Sequence, residues 1–183
     1  MQNNSSNQKQ AKRGTQDIRL SVKIKASPKK VYGALTSART LCRWWLEGAE
    51  TNAKNLGHFR LVWPKIKDTK IKRAFPLYPS QREIKGFFVD LEPGKKIAWI
   101  WELPSPKKYP ALSTFFIEKN GRSSVVTVIQ CGFPNRPSAQ KYLEGASLGW
   151  EDCLSKLKLY LETGKTVKTL TLNFNSLSSH IGR

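Results

Sequence analysis

The stretch SAQKYLEGASLGWEDCLSKLKLYLET, residues 138–163, decides the fold. Leu143, Ala146, Trp150, Leu154, Leu157 and Leu161 recur at helical spacing and make one apolar stripe, with Gly164 behind them as a stop. A long helix with one apolar face has to bury that face against another element. The preceding residues supply it. Ile18, Leu20, Val22 and Ile24 alternate with Arg19, Ser21, Lys23 and Lys25, the pattern of a half-buried strand. Over 57–63, Phe59, Leu61 and Trp63 share one parity. Strands over 83–91 and 95–102 flank the turn signal Glu92-Pro93-Gly94, and strands over 112–118 and 123–130 flank Lys119-Asn120-Gly121-Arg122, whose Asn-Gly pair is a strong hairpin signal. Ser27-Pro28 marks a helix start, with Val31, Ala34 and Leu35 following at helical spacing, and a second short helix is expected over 41–45. This order predicts an α+β fold of the helix-grip kind: a curved antiparallel sheet wrapped around a long C-terminal helix. Such a grip leaves room for a cavity.

A chain of 183 residues suits one domain with tails. Residues 1–17, rich in Gln, Asn, Ser, Lys and Arg, read as a flexible basic arm; 18–164 form the domain; 165–183 read as a tail or an added strand, since Val167, Thr169 and Thr171 alternate with Lys168, Leu170 and Leu172. The first ten residues offer no apolar core for a signal peptide, and no apolar run is long enough to span a bilayer, so a cytoplasmic location is expected. Cys42, Cys131 and Cys153 form no CxxC pair and read as free thiols. With only His58 and His180 beside them, neither a metal site nor a cofactor is expected. Charge is the unusual feature. The 32 Lys and Arg against 13 Asp and Glu give a net charge of +19, most of it within 18–164.

The run from Ile24 through Ser27-Pro28-Lys29-Lys30-Val31-Tyr32-Gly33-Ala34-Leu35-Thr36, followed by Leu41 and Trp44-Trp45, resembles the opening of the activator of heat shock protein 90 ATPase family, within the START-like superfamily. Gly149-Trp150-Glu151-Asp152-Cys153-Leu154, then Leu157, Tyr160-Leu161 and Gly164, is similar to that family's terminal helix. Pro93-Gly94-Lys95-Lys96-Ile97 and Gly132-Phe133-Pro134 fall where the family has its turn and its lead into the helix. The resemblance covers 18–164 and implies the helix-grip fold, with the tryptophans set around its cavity. It also implies a protein partner, a chaperone. The departures are Gly33 in the first helix and a long, basic segment over 64–80.

Trp99 and Trp101 share a parity with Ile97, Phe59 and Trp63 share another strand's, and Trp150 and Leu154 lie on the helix stripe. Together with Trp44 and Trp45 they are the candidate lining of a pocket for a hydrophobic or aromatic small molecule. The competing reading is that they simply fill the core. Glu102, next to Trp101, is the candidate polar group of that pocket, against the reading of a solvated strand end. Catalytic chemistry is poorly supplied: no GxSxG sits on a strand-to-helix turn, since Gly145 and Gly149 fall within the expected long helix, there is no phosphate loop between strand and helix, and Glu151 and Asp152 face different ways. No catalytic residue is assigned. Lys65, Lys67, Lys70, Lys72 and Arg73 form a basic partner face, suited to an acidic protein or to nucleic acid, against the reading of a solvated loop. Ligand binding leads, a chaperone-directed interaction follows, and nucleic-acid association is third.

Overall fold

The computed structural model describes residues 14–65, 82–102 and 112–168. Strands β1 (Thr15–Ile24), β2 (Gly48–Thr51), β3 (His58–Val62), β4 (Glu83–Glu92), β5 (Lys96–Trp101), β6 (Leu112–Asn120) and β7 (Ser123–Pro134) form a seven-stranded antiparallel sheet, in the order β1-β7-β6-β5-β4-β3-β2. From β2 to β7 each strand pairs with the next, and β1 closes the far edge beside β7. Helices α1 (Pro28–Thr36) and α2 (Ala38–Trp44) lie between β1 and β2, and α3 (Pro137–Thr163) follows β7. The expected helix-grip architecture is what the chain adopts.

Local chemistry accounts for the boundaries. Ser27 Oγ accepts the Lys30 N–H at 3.4 Å and Pro28 fills the first turn of α1. Ser37 ends α1 and also caps α2, accepting the Thr40 N–H at 3.4 Å. At the far end of α3, Gly164 takes φ 72°, a left-handed conformation that glycine adopts without strain, and its N–H reaches the Tyr160 carbonyl at 2.8 Å. Two elements differ from expectation. β1 begins at Thr15, inside the expected arm, because Thr15 and Gln16 pair with Pro134 and Phe133 of β7. β2 is an additional edge strand whose partners are Phe59 to Val62 of β3. Of the segment after Gly164, residues 165–168 carry no regular structure, and the alternation beyond them lies outside the described residues.

One face of the sheet carries Ile18, Leu20, Ile24, Phe59, Leu61, Phe88, Ile97, Trp99, Phe115, Ile117, Val126 and Val128 against Trp150, Cys153, Leu154 and Leu157 of α3. Full burial of a side chain such as Leu157 contributes about 1.5–3 kcal/mol. The end of α3 is also tied to the sheet edge: Lys158 Nζ donates to the Lys23 carbonyl at 2.5 Å, and Glu162 accepts the Lys25 N–H at 2.8 Å. These bonds occupy backbone groups that an edge strand otherwise offers to other chains.

Candidate functional site

Strand alternation puts Trp99 and Trp101 on the same inward face of β5, with ring centroids 5.2 Å apart. Trp150 comes down onto them from α3, at 6.4 Å from Trp99 with the ring planes 23° apart, and at 6.2 Å from Trp101. Phe59 stands 5.6 Å from Trp99 and 5.7 Å from Trp101; Phe115 stands 5.2 Å from Trp99 on the other side. Gly86 makes the approach of Phe59 possible. A Cβ at that position would lie 2.5 Å from the Phe59 ring and 2.1 Å from the Ile100 carbonyl oxygen.

A second aromatic group adjoins the first. Trp44 and Trp45, at the end of α2, stack at 5.5 Å; Trp44 lies over Tyr160 of α3, and Trp45 meets Trp63 edge-on at 5.6 Å. Trp63 in turn lies 6.1 Å from Trp101, joining the two groups. All eight residues expected at a pocket are therefore brought to one side of the sheet, with Leu154 buried beneath Trp150's turn of helix. Most are deeply buried and pack against one another in the hydrophobic core.

The polar members of this region are not those that sequence reasoning selected. Ser113 and Gln130 have inward parity on β6 and β7, next to each other across the strands, and Trp99 pairs with Ser113 from β5. Trp101 donates its indole N–H to Ser113 Oγ at 3.1 Å, and Trp150 donates to Gln130 Oε1 at 2.8 Å. The signal in the sequence was the break in alternation: a polar residue at a position whose parity is otherwise Phe115 and Ile117, or Val126 and Val128. Glu102 does not join them. It has the opposite parity to Trp101, is exposed, and borders an open groove of about 450 Å³ shared with Glu50, Arg60 and Lys85. There Arg60 is held between Glu83 at 2.6 Å and Glu50 at 3.0 Å. His58 lies on that side too, its ring 4.4 Å from Phe87.

On α3, one turn along from Trp150, Asp152 and Lys156 form a buried ion pair at 2.5 Å. Between them sits Cys153, whose thiol pKa is pushed well up by burial and by the neighbouring carboxylate, so it stays protonated. Lys65 is exposed just beyond β3, while Lys67, Lys70, Lys72 and Arg73 lie outside the described residues. Among the described residues no cluster of His, Cys, Asp and Glu is arranged to hold a metal ion, and no helix is long and apolar enough to cross a membrane.

A curved antiparallel sheet closed on a long C-terminal helix, with an aromatic-rich interior between them, defines a helix-grip domain of the START-like class. Residues 25–162 match the family described as Activator of Hsp90 ATPase homolog 1-like protein, and the chain belongs to that family. Among solved structures it is similar to an Aha1 dimer from Colwellia psychrerythraea, at 20% identity and TM-score 0.65 over 82% of this chain and 98% of that one. A Staphylococcus saprophyticus protein is similar at 21% identity and TM-score 0.63, over 84% and 97%. A protein of the dynemicin biosynthetic locus is similar at 19% identity and TM-score 0.60, over 81% of this chain and 48% of that one. At these identities the likeness is one of fold. No functionally curated protein matches the sequence significantly.

Proposed function

We propose that the chain is a non-enzymatic START-like domain that binds a hydrophobic or aromatic small molecule between α3 and the sheet, in a cytoplasmic setting. The observation that carries this reading is the concentration of indoles and phenyl rings where α3 meets the sheet, with Trp99, Trp101 and Trp150 within 6.4 Å of one another. Aromatic walls with a few fixed polar groups are the usual make-up of a small-molecule site. The test is a lipid and metabolite panel read by native mass spectrometry together with tryptophan quenching. A retained adduct with saturable quenching supports binding; a panel that gives neither removes it.

Family membership favours a second reading, a protein-interaction module that modulates a chaperone ATPase. The surplus of positive charge suits an acidic partner, and Lys65 with Lys67, Lys70, Lys72 and Arg73 is the proposed contact. A purified-component ATPase assay at low salt decides it: stimulation that salt abolishes is the expected result, and neither stimulation nor binding rejects it. Nucleic-acid association through the same residues ranks third. It requires an affinity that falls steeply with salt and that disappears on charge reversal of those residues.

A further inference from the structure

Three tryptophans of the grip have a hydrogen-bond acceptor for the indole N–H. Trp44 uses the Ala34 carbonyl at 3.0 Å, Trp101 uses Ser113 Oγ at 3.1 Å and Trp150 uses Gln130 Oε1 at 2.8 Å. Trp99 is different. Its side chain is 1% exposed, yet among the described residues its Nε1 is the one buried side-chain nitrogen or oxygen without a partner. Buried donors are rarely left so, since the bonds given up to water are then not replaced.

The surroundings explain why the chain itself does not satisfy this donor. Within its cross-strand row Trp99 has Phe88 on one side and Ser113 on the other. Phe88 offers no acceptor, and Ser113 Oγ accepts from Trp101 without bonding to Trp99. Above it lies the face of Trp150, and Phe59 and Phe115 complete the enclosure. We infer that Trp99 Nε1–H is the recognition donor of the site, and that the ligand is a neutral ring compound carrying a carbonyl or ether oxygen that accepts this bond.

Neutrality follows from the charges nearby. Among the described residues the buried cation is Lys156 of α3, which is engaged by Asp152 at 2.5 Å, so a carboxylate brought into the aromatic enclosure would meet no free counter-charge from that pair. A ring frame follows from the walls, whose flat faces reward flat partners. A single acceptor follows from the single open donor. This inference rests on the ligand-binding reading, and it adds which atom of the ligand is read and by which atom of the protein.

Matched ligand pairs test it on the full chain: 1-indanone against indane, and 9-fluorenone against fluorene, titrated by indole fluorescence and by the ¹⁵N-indole NMR signal of Trp99. The ketone of at least one pair is expected to bind at least tenfold more tightly than its hydrocarbon, with a downfield shift of the Trp99 indole proton. Trp99→Phe should remove that preference, bringing the ketone and its hydrocarbon to the same affinity whatever the change in the affinity of the hydrocarbon itself. Equal binding of ketone and hydrocarbon, with the Trp99 proton unmoved, overturns the assignment of Trp99 and leaves the cavity reading standing. Binding of neither member of either pair overturns both. The NMR shift is read on the unmodified protein, so it upholds or overturns the role of Trp99 even where Trp99→Phe fails to fold.

Discussion

Trp150 of α3 donates its indole N–H to Gln130 of β7 at 2.8 Å, a buried bond that fixes the rotation of the long helix over the sheet. The same indole then packs edge-on to Phe115 and nearly parallel to Trp99. This polar contact lies where the aromatic wall of the helix meets that of the sheet. Replacing Gln130 by Met keeps the volume but leaves the Trp150 N–H without this acceptor. A loss of about 1–3 kcal/mol in urea unfolding is expected, with a changed Trp150 emission in the folded state. An unaltered midpoint would show that the bond does not hold the helix.

Gly86 of β4 leaves no room for a side chain. A methyl group there meets the Ile100 carbonyl, which is backbone and cannot step aside, as well as the Phe59 ring. Gly86→Ala is expected to cost roughly 1–3 kcal/mol. Thermal unfolding measures it, and a wild-type melting temperature would contradict the close approach.

The buried Asp152–Lys156 pair predicts an asymmetric response. Lys156→Met removes the ammonium 2.5 Å from a carboxylate that stays buried, which costs about 3–5 kcal/mol in comparable settings. Joint replacement, Asp152→Leu with Lys156→Met, is expected to regain most of that loss. Chemical denaturation of the two variants separates this from simple loss of packing, in which the double change is worse than the single one.

Glu162 couples stability to pH. The Lys25 N–H, then the Lys158 ammonium, hold its folded pKa below the ordinary 4.5. Such a carboxylate stabilises the fold above its unfolded pKa, and the contribution is lost as pH falls through the lower folded value. Glu162→Gln should therefore melt below wild type at neutral pH and converge with it once both are acidified past that value. A constant gap across pH would assign the effect to something other than ionisation.

Cysteine labelling checks the burial of α3. Cys131 is exposed and Cys153 fully buried, its thiol held protonated. A thiol reagent is expected to modify Cys131 in the native chain and Cys153 only after denaturant is added, as peptide mapping would report.

Much of the architecture was legible from local chemistry. Ser27-Pro28 started α1, Asn120-Gly121 turned β6 into β7, and the stripe from Leu143 to Leu161 placed α3 against the sheet. β2 was not legible, because Gly48-Ala49-Glu50-Thr51 has no apolar alternation and is a strand only through its pairing with β3. The first residues of β1 are polar for the same reason: they are held by the ladder to β7 rather than by burial. At the site, parity alone put the tryptophans of β5 on one face, and the same rule applied to Glu102 puts it on the other. Ser113 and Gln130 were missed because a lone polar residue in a strand looks like an ordinary surface position until its inward neighbours are read with it.

Whether a ligand sits between α3 and the sheet is measured most directly by a ¹⁵N-indole NMR titration of the full chain, with all six tryptophan signals assigned, using whichever compounds of the panel give adducts in native mass spectrometry. Saturable shifts concentrated at Trp99, Trp101 and Trp150 are the expected result. Adducts that leave these three unmoved, with perturbations instead at backbone signals around His58, Arg60, Lys85 and Glu102, would place binding on the outer groove and contradict it.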